Sequence, residues 1–141
     1  LSNGGVAFGT DTAQASALND YEEGNWTPTI QSTGSASFSK ASYTKVGRLV
    51  TAHFIIGSIS NTTSTNTFAV SLPFPAGMSD RGVTLGSITA NVGIEISGGY
   101  IASSGVLYLY ANSTGAYRPL QHSDFSGSTT AMYIAFTYMA T

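Results

Sequence analysis

The sequence predicts an all-β protein: an antiparallel β-sandwich, jelly-roll-like, with a short extended or weakly helical lead-in at its N-terminus. Three observations predict it. Apolar and polar residues alternate with a period of two, most plainly over 131–139. No segment sustains a helical period across three turns. Short apolar runs are punctuated by Gly, Pro, Asn and Ser at intervals of about 8–12 residues, the spacing of sandwich strands. A chain of 141 residues suits one domain that buries roughly 70% of its unfolded surface.

Residues 1 to 20 carry Gly4, Gly5 and Gly9, then Ala13, Ala15 and Ala17, with Val6 and Phe8 the sizeable apolar residues before Leu18. Thr12 suits the cap of a short turn through Ala13 to Leu18. Such a turn falls short of the ~12 residues an isolated helix needs, and the segment cannot order itself by burial alone. Val6, Phe8 and Leu18 are therefore expected to pack on neighbouring copies around a three-fold axis, with Tyr21 and Trp26 at the junction. This divides the chain into a stem and trimerisation segment, 1–25, and a sandwich domain, 26–141.

The strands follow in order. Residues 27–30 read as a short first strand, and Pro28 argues for an edge or a strand start because it lacks a ladder donor. Residues 43–46 and 49–56 flank Gly47-Arg48, a two-residue connection suited to a tight hairpin. Val50, Ala52, Phe54 and Ile56 share one face of the second strand, and Leu49, Thr51, His53 and Ile55 the other. Apolar residues on both faces predict a central strand. Asn61 to Asn66 is a polar loop. A strand over 68–72 is stopped by Pro73 and Pro75. Further strands are expected at 82–90, 94–97, 99–102 and 105–111. The last, 131–139, turns Met132, Ile134, Phe136 and Tyr138 to the core.

Composition narrows function. Only 9% of residues are charged, against about 25% in an average globular chain. Solubility then rests on hydroxyls and amides, including 20 Ser and 18 Thr. A net charge of −2 supplies no field to attract nucleic acid or anionic lipid, so neither partner is expected. The absence of cysteine excludes disulfides, thiolate metal sites and a cysteine nucleophile. The N-terminal residues, Leu1 to Gly5, have neither the basic nor the apolar region of a signal peptide. The longest apolar run, 106–111, is far short of the ~20 residues that span a bilayer as a helix, so membrane insertion is not expected. A start at Leu rather than Met suggests a piece of a longer protein.

Catalytic chemistry finds little material. Glycoside hydrolysis wants two carboxylates facing each other about 5–9.5 Å apart; the acids are Asp11, Asp20, Glu22, Glu23, Asp80, Glu95 and Asp124. Glu22 and Glu23 are adjacent and point to opposite sides of an extended chain, one of them in reach of Lys45 or Arg48. A Ser-His-Asp arrangement would draw on His53 or His122 with Asp124, but no G-x-S-x-G elbow is present. The two histidines lack metal-ligand spacing. No catalytic residue, metal or cofactor is expected.

Binding is better supplied. Residues 112–125 form the longest non-alternating stretch, read as a long structured loop of the kind that often carries function, and gather Asn112, Tyr117, Arg118, His122 and Asp124. Sugars ask for this mix of aromatic face and planar polar groups, so these five are the expected receptor-binding residues. The competing reading tucks Leu120 and Phe125 into the core, packs Tyr117 on the adjacent subunit and pairs Arg118 with Asp124. Tyr100, Tyr108 and Tyr110 offer a second surface, since Tyr108 and Tyr110 share a strand face with Val106. Core burial, subunit contact and an exposed ligand platform are all open there.

One stretch, Leu18-Asn19-Asp20-Tyr21-Glu22-Glu23-Gly24-Asn25-Trp26-Thr27-Pro28, holds the single Trp and three of the seven acids at the junction of the two regions. It resembles the LDDYEEGTWTP hinge that opens the C-terminal domain of many phage and prophage tail-fibre proteins, departing at Asn19 and Asn25. Tyr43-Thr44-Lys45-Val46-Gly47-Arg48-Leu49-Val50 is similar to that family's YTKIGNLV strand pair, and Leu72-Pro73-Phe74 to its GLPF turn. Residues 132–138 resemble its closing strand more loosely. The resemblance implies a homotrimeric, receptor-binding fibre tip on a virion, joined to an upstream fibre shaft and recognising a bacterial surface polysaccharide such as capsule or lipopolysaccharide. It also admits a structural trimerisation or folding cap with recognition located upstream, and, as a third class, a polysaccharide depolymerase.

Overall fold

The computed structural model describes residues 21–31, 34–77, 81–90, 94–102, 104–125 and 132–141. The expectations for Val6, Phe8 and Leu18, and for a turn capped by Thr12, lie outside the described residues.

Nine strands are present among them: β1 (Tyr21–Asn25), β2 (Ala36–Val46), β3 (Leu49–Ile59), β4 (Ala69–Ser71), β5 (Arg81–Ala90), β6 (Glu95–Ile101), β7 (Val106–Ser113), β8 (Ala116–Pro119) and β9 (Met132–Met139). All pairs are antiparallel, in the order β1-β2-β3-β9-β5-β6-β7-β4, and β8 also pairs with β7. The path is not a closed barrel. β5 belongs to two sheets: Arg81 to Val83 pair with β6, and Thr84 to Ala90 pair with β9 around a register shift between Leu85 and Ser87. A shift of this kind bends a strand, and it follows closely on the change of sheet between Val83 and Thr84.

The alternation read from the sequence defines the core. Val50, Ala52, Phe54 and Ile56 of β3 and Met132, Ile134, Phe136 and Tyr138 of β9 are buried, and join Phe68, Val70, Leu107, Leu109 and Ala111 of the other sheet in one cluster. Each of the Val, Leu, Ile, Phe and Met side chains among them, fully buried, contributes about 1.5–3 kcal/mol. Phe54 is the hub of the aromatic part, edge-on to Trp26 at 6.0 Å, Phe38 at 5.6 Å and Phe136 at 6.1 Å. β3 lies between β2 and β9, as a central strand should. Its outer face is nonetheless exposed at Leu49, Thr51 and His53. The Gly47-Arg48 hairpin forms as expected, with Val46 opposite Leu49 and Gly47 at φ +59°. Positive φ at the first turn residue is the backbone that a glycine there permits.

Several elements differ from expectation. Residues 27–30 do not form the first strand; the edge strand is β1, five residues earlier in its hydrophilic portion, held by Tyr21 to Asn25 against Val46 to Ser42. The alternation is hidden there because both faces of an edge strand can be wet. After β1 the chain crosses to the second sheet, where the Gln31 N–H donates to the Ala69 carbonyl and the Ser71 N–H to the Thr29 carbonyl, each at 2.9 Å. Trp26 anchors the crossing through its ring and through its backbone N–H, which donates to the Ala41 carbonyl at 3.2 Å. Segments 94–97 and 99–102 are one strand, β6, whose register shift between Ile96 and Gly98 breaks the period. The 43–46 strand begins much earlier, at Ala36, and carries two register shifts.

The Leu72-Pro73-Phe74-Pro75 turn is clamped to β9. The Tyr138 hydroxyl donates to the Phe74 carbonyl at 2.9 Å and accepts from the Phe74 N–H at 3.1 Å. Burial pushes the Tyr138 phenol up to about 12 despite the bond it accepts from Phe74.

Candidate functional site

The 112–125 stretch is not a loop. Asn112 and Ser113 complete β7, Thr114 and Gly115 turn the chain, and β8 returns with Asn112 opposite Tyr117 and Ala111 opposite Arg118. Both turn residues have positive φ, +51° and +83°, the backbone of a type I′ hairpin. A short 3-10 helix, His122–Phe125, follows.

This geometry divides the five expected receptor residues. Successive strand residues face opposite ways, so Tyr117 lies on the outer face beside Asn112 and Arg118 turns away from it. Arg118 clasps Asp124 with two N–H donors, at 2.8 Å to Oδ2 and 2.6 Å to Oδ1. The Gln121 N–H also donates to Asp124 Oδ2 at 2.7 Å. Burial acts to raise the Asp124 carboxyl, but the bonds from Arg118 and Gln121 and the Arg118 charge outweigh it and hold the group below its ordinary value. The Arg118 guanidinium is pushed up, chiefly by its hydrogen bond to Asp124. His122 is fully buried, its ring edge-on to Phe68 at 5.5 Å. The segment is further tied down where the Phe68 N–H donates to the Leu120 carbonyl at 2.7 Å and Ser123 N–H to the Ser64 carbonyl at 2.8 Å. His122 is thus part of the core rather than of a surface site, while Arg118 and Asp124 are committed to each other. Leu120 and Phe125, which bracket the histidine, were the sequence signal for its burial.

What remains on the outer face is aromatic. Cross-strand partners share a face, so the register sets Glu95, Asn112 and Tyr117 in one row, Gly98, Tyr110 and Pro119 in the next, and Tyr100 with Tyr108 in a third. Tyr110 is the centre. Its ring stands edge-on to Tyr100 at 5.8 Å and tilted against Tyr117 at 5.5 Å. Tyr117 is 75% exposed. Between the rings lies an open groove of about 420 Å³ lined by Gly98, Gly99, Tyr100, Tyr110 and Tyr117, toward the small end of the ~300–1,000 Å³ range of ligand sites. None of these lining residues is charged.

The adjacent acids are spoken for separately. Glu22 accepts from the Tyr43 hydroxyl at 2.6 Å and Glu23 from the Tyr21 hydroxyl at 2.7 Å; these bonds raise both phenols. Asp11, Asp20 and Asp80 lie outside the described residues. His53 is exposed on β3 with Ser42 Oγ 3.1 Å from its Nε2. Among the described residues no group of three His, Asp or Glu could hold a metal ion, and no helix is long and apolar enough to cross a membrane.

A second surface is the outer face of the first sheet. The register places Tyr21, Val46, Leu49 and Met139 in one row. Tyr21, Leu49 and Met139 are 57%, 47% and 38% exposed, and Tyr133, opposite Ile55 further along, is 47% exposed.

No family model, curated protein or solved structure matches the chain.

Proposed function

We propose that this is the receptor-binding tip of a phage tail fibre: a homotrimer of jelly-roll-like sandwiches, carried by an upstream shaft on the virion, that attaches to a bacterial surface polysaccharide without turning it over. The observation that carries the reading is the uncharged groove between Tyr100, Tyr110 and Tyr117. Tyrosines offer an apolar face to the C–H side of a sugar and a hydroxyl to its polar edge. The resemblance of residues 18–28 to the tail-fibre hinge supplies the setting. A shallow site binds weakly, and three on one tip act together through effective concentration.

The test is retention of the purified protein by host-type cells and by their extracted polysaccharide, for the parent and for Tyr117→Ala. Because Tyr117 is largely exposed, its truncation leaves the fold in place. The expected result is retention by the parent and at least a tenfold loss in the variant.

The row of Tyr21, Leu49 and Met139 favours a second reading, a trimerisation cap with recognition upstream, because monomers rarely leave large apolar residues side by side. A three-subunit particle that no host cell or polysaccharide retains would establish the cap. A one-subunit mass in solution would remove the trimer from both readings.

A further inference from the structure

Two neighbouring glycines in β6 have opposite surroundings. A Cβ added at Gly99 would lie 2.7 Å from Val83 Cγ2 and 2.9 Å from Leu85 Cδ2, so packing against β5 requires glycine there. A Cβ added at Gly98 would meet nothing within 4 Å. Gly98 is also outside the left-handed region of the backbone, so any residue could adopt its conformation. Glycine inside a strand costs about 0.5–1 kcal/mol relative to alanine. No contact within the described subunit repays that cost. The space above Gly98 is the tyrosine groove, because Gly98 pairs with Tyr110 and lines the hollow with Tyr100 and Tyr117. A strand glycine marks a bulge or a close approach by another group; Gly98 ends the register shift that begins at Ile96, and the open space above it leaves room for such an approach.

We propose that Gly98 is the floor of a subsite for an uncharged sugar ring, one that lies on the bare backbone with a C–H face against the tyrosines. This rests on the reading of the domain as a glycan-binding tip and adds the class of glycan. The lining carries no cation to pair with an anion: it is tyrosine and glycine alone. The nearby guanidinium, Arg118, is committed to Asp124. The one charged residue in the rows of the outer face is Glu95, beside Asn112, which disfavours uronic, sialic or phosphorylated sugars. Neutral hexoses and N-acetylhexosamines suit the site.

The experiment uses polysaccharide extracted from cells that retain the protein, split by anion exchange into neutral and acidic fractions. Binding of parent, Gly98→Ala and Gly98→Val is measured to each, with melting temperature and subunit mass alongside. The inference expects the parent to bind the neutral fraction, Gly98→Val to lose at least tenfold, and Gly98→Ala to fall between, with melting unchanged or raised in both. Binding of the acidic fraction alone, or undiminished binding by Gly98→Val, overturns the inference and leaves the receptor reading standing. Lowered melting in both variants makes Gly98 a packing residue, and loss of the oligomer makes the groove a subunit contact; each overturns it. A parent that binds neither cells nor either fraction overturns the receptor reading as well.

Discussion

Replacing Asp124 by Asn removes one charge and keeps the outline of the side chain, so it isolates the electrostatic part of the Arg118 clasp. Three donors converge on the carboxylate, at 2.8, 2.6 and 2.7 Å. The Asp124 side chain is 10% exposed and that of Arg118 is 32% exposed. Breaking a fully buried pair costs about 3–5 kcal/mol, and an exposed pair is worth about 0–1; this half-sheltered clasp falls between, at about 2 kcal/mol. For 141 residues the unfolding entropy is about 0.3 kcal/mol/K at ~2.1 cal/mol/K per residue, so Asp124→Asn should melt about 7 °C lower at pH 7. The pH dependence has a definite sign. The Asp124 carboxyl is depressed in the folded state, so its contribution is present above the unfolded value near 3.8 and is lost as pH falls through the lower folded value. The gap in melting temperature between parent and variant should narrow as pH falls below 3.8. Equal melting temperatures at pH 7, or a gap that persists undiminished at pH 2, would refute the clasp. Loss of glycan binding with melting intact would return Asp124 to the receptor site.

Other positions give sharp expectations. Tyr138→Phe leaves both the N–H and the carbonyl of Phe74 without their partner and should cost about 1–3 kcal/mol, read by denaturant unfolding. Because the folded phenol lies at about 12, its contribution holds below pH 10 and fades as pH rises towards 12. Parent stability should therefore decline over that window, and Tyr138→Phe should decline less. Thr114 holds a φ of +51°, which a β-branched residue rarely adopts. Thr114→Asn should stabilise by about 1 kcal/mol, visible as a rise of about 3 °C in melting temperature.

Much of the architecture was legible because strands with one buried face write a period of two into the chain. β3 and β9 are the plainest cases, with Val50 to Ile56 and Met132 to Tyr138 buried at alternate positions, and Gly47 announced its own hairpin. The failures share a physical origin in irregular backbone. β6 was split because the shift before Gly98 interrupts the period. The β7–β8 hairpin read as a loop because its turn uses Thr114 at a position that normally takes Asn or Gly. With the hairpin missed, Tyr117 and Arg118 looked like neighbours in one site, although the pleat sends them to opposite faces. Tyr100 and Tyr110 were visible as an aromatic surface, but which of their strand faces was wet depended on β4 and β8 pairing along the same edge of β7. No local pattern encodes that.

The most direct test follows backbone amide and tyrosine ring resonances while the neutral polysaccharide fraction is titrated into the protein. The account predicts shifts confined to Gly98, Tyr100, Tyr110, Asn112 and Tyr117. Shifts centred on Arg118, His122 and Asp124, with the tyrosine groove unmoved, would contradict it.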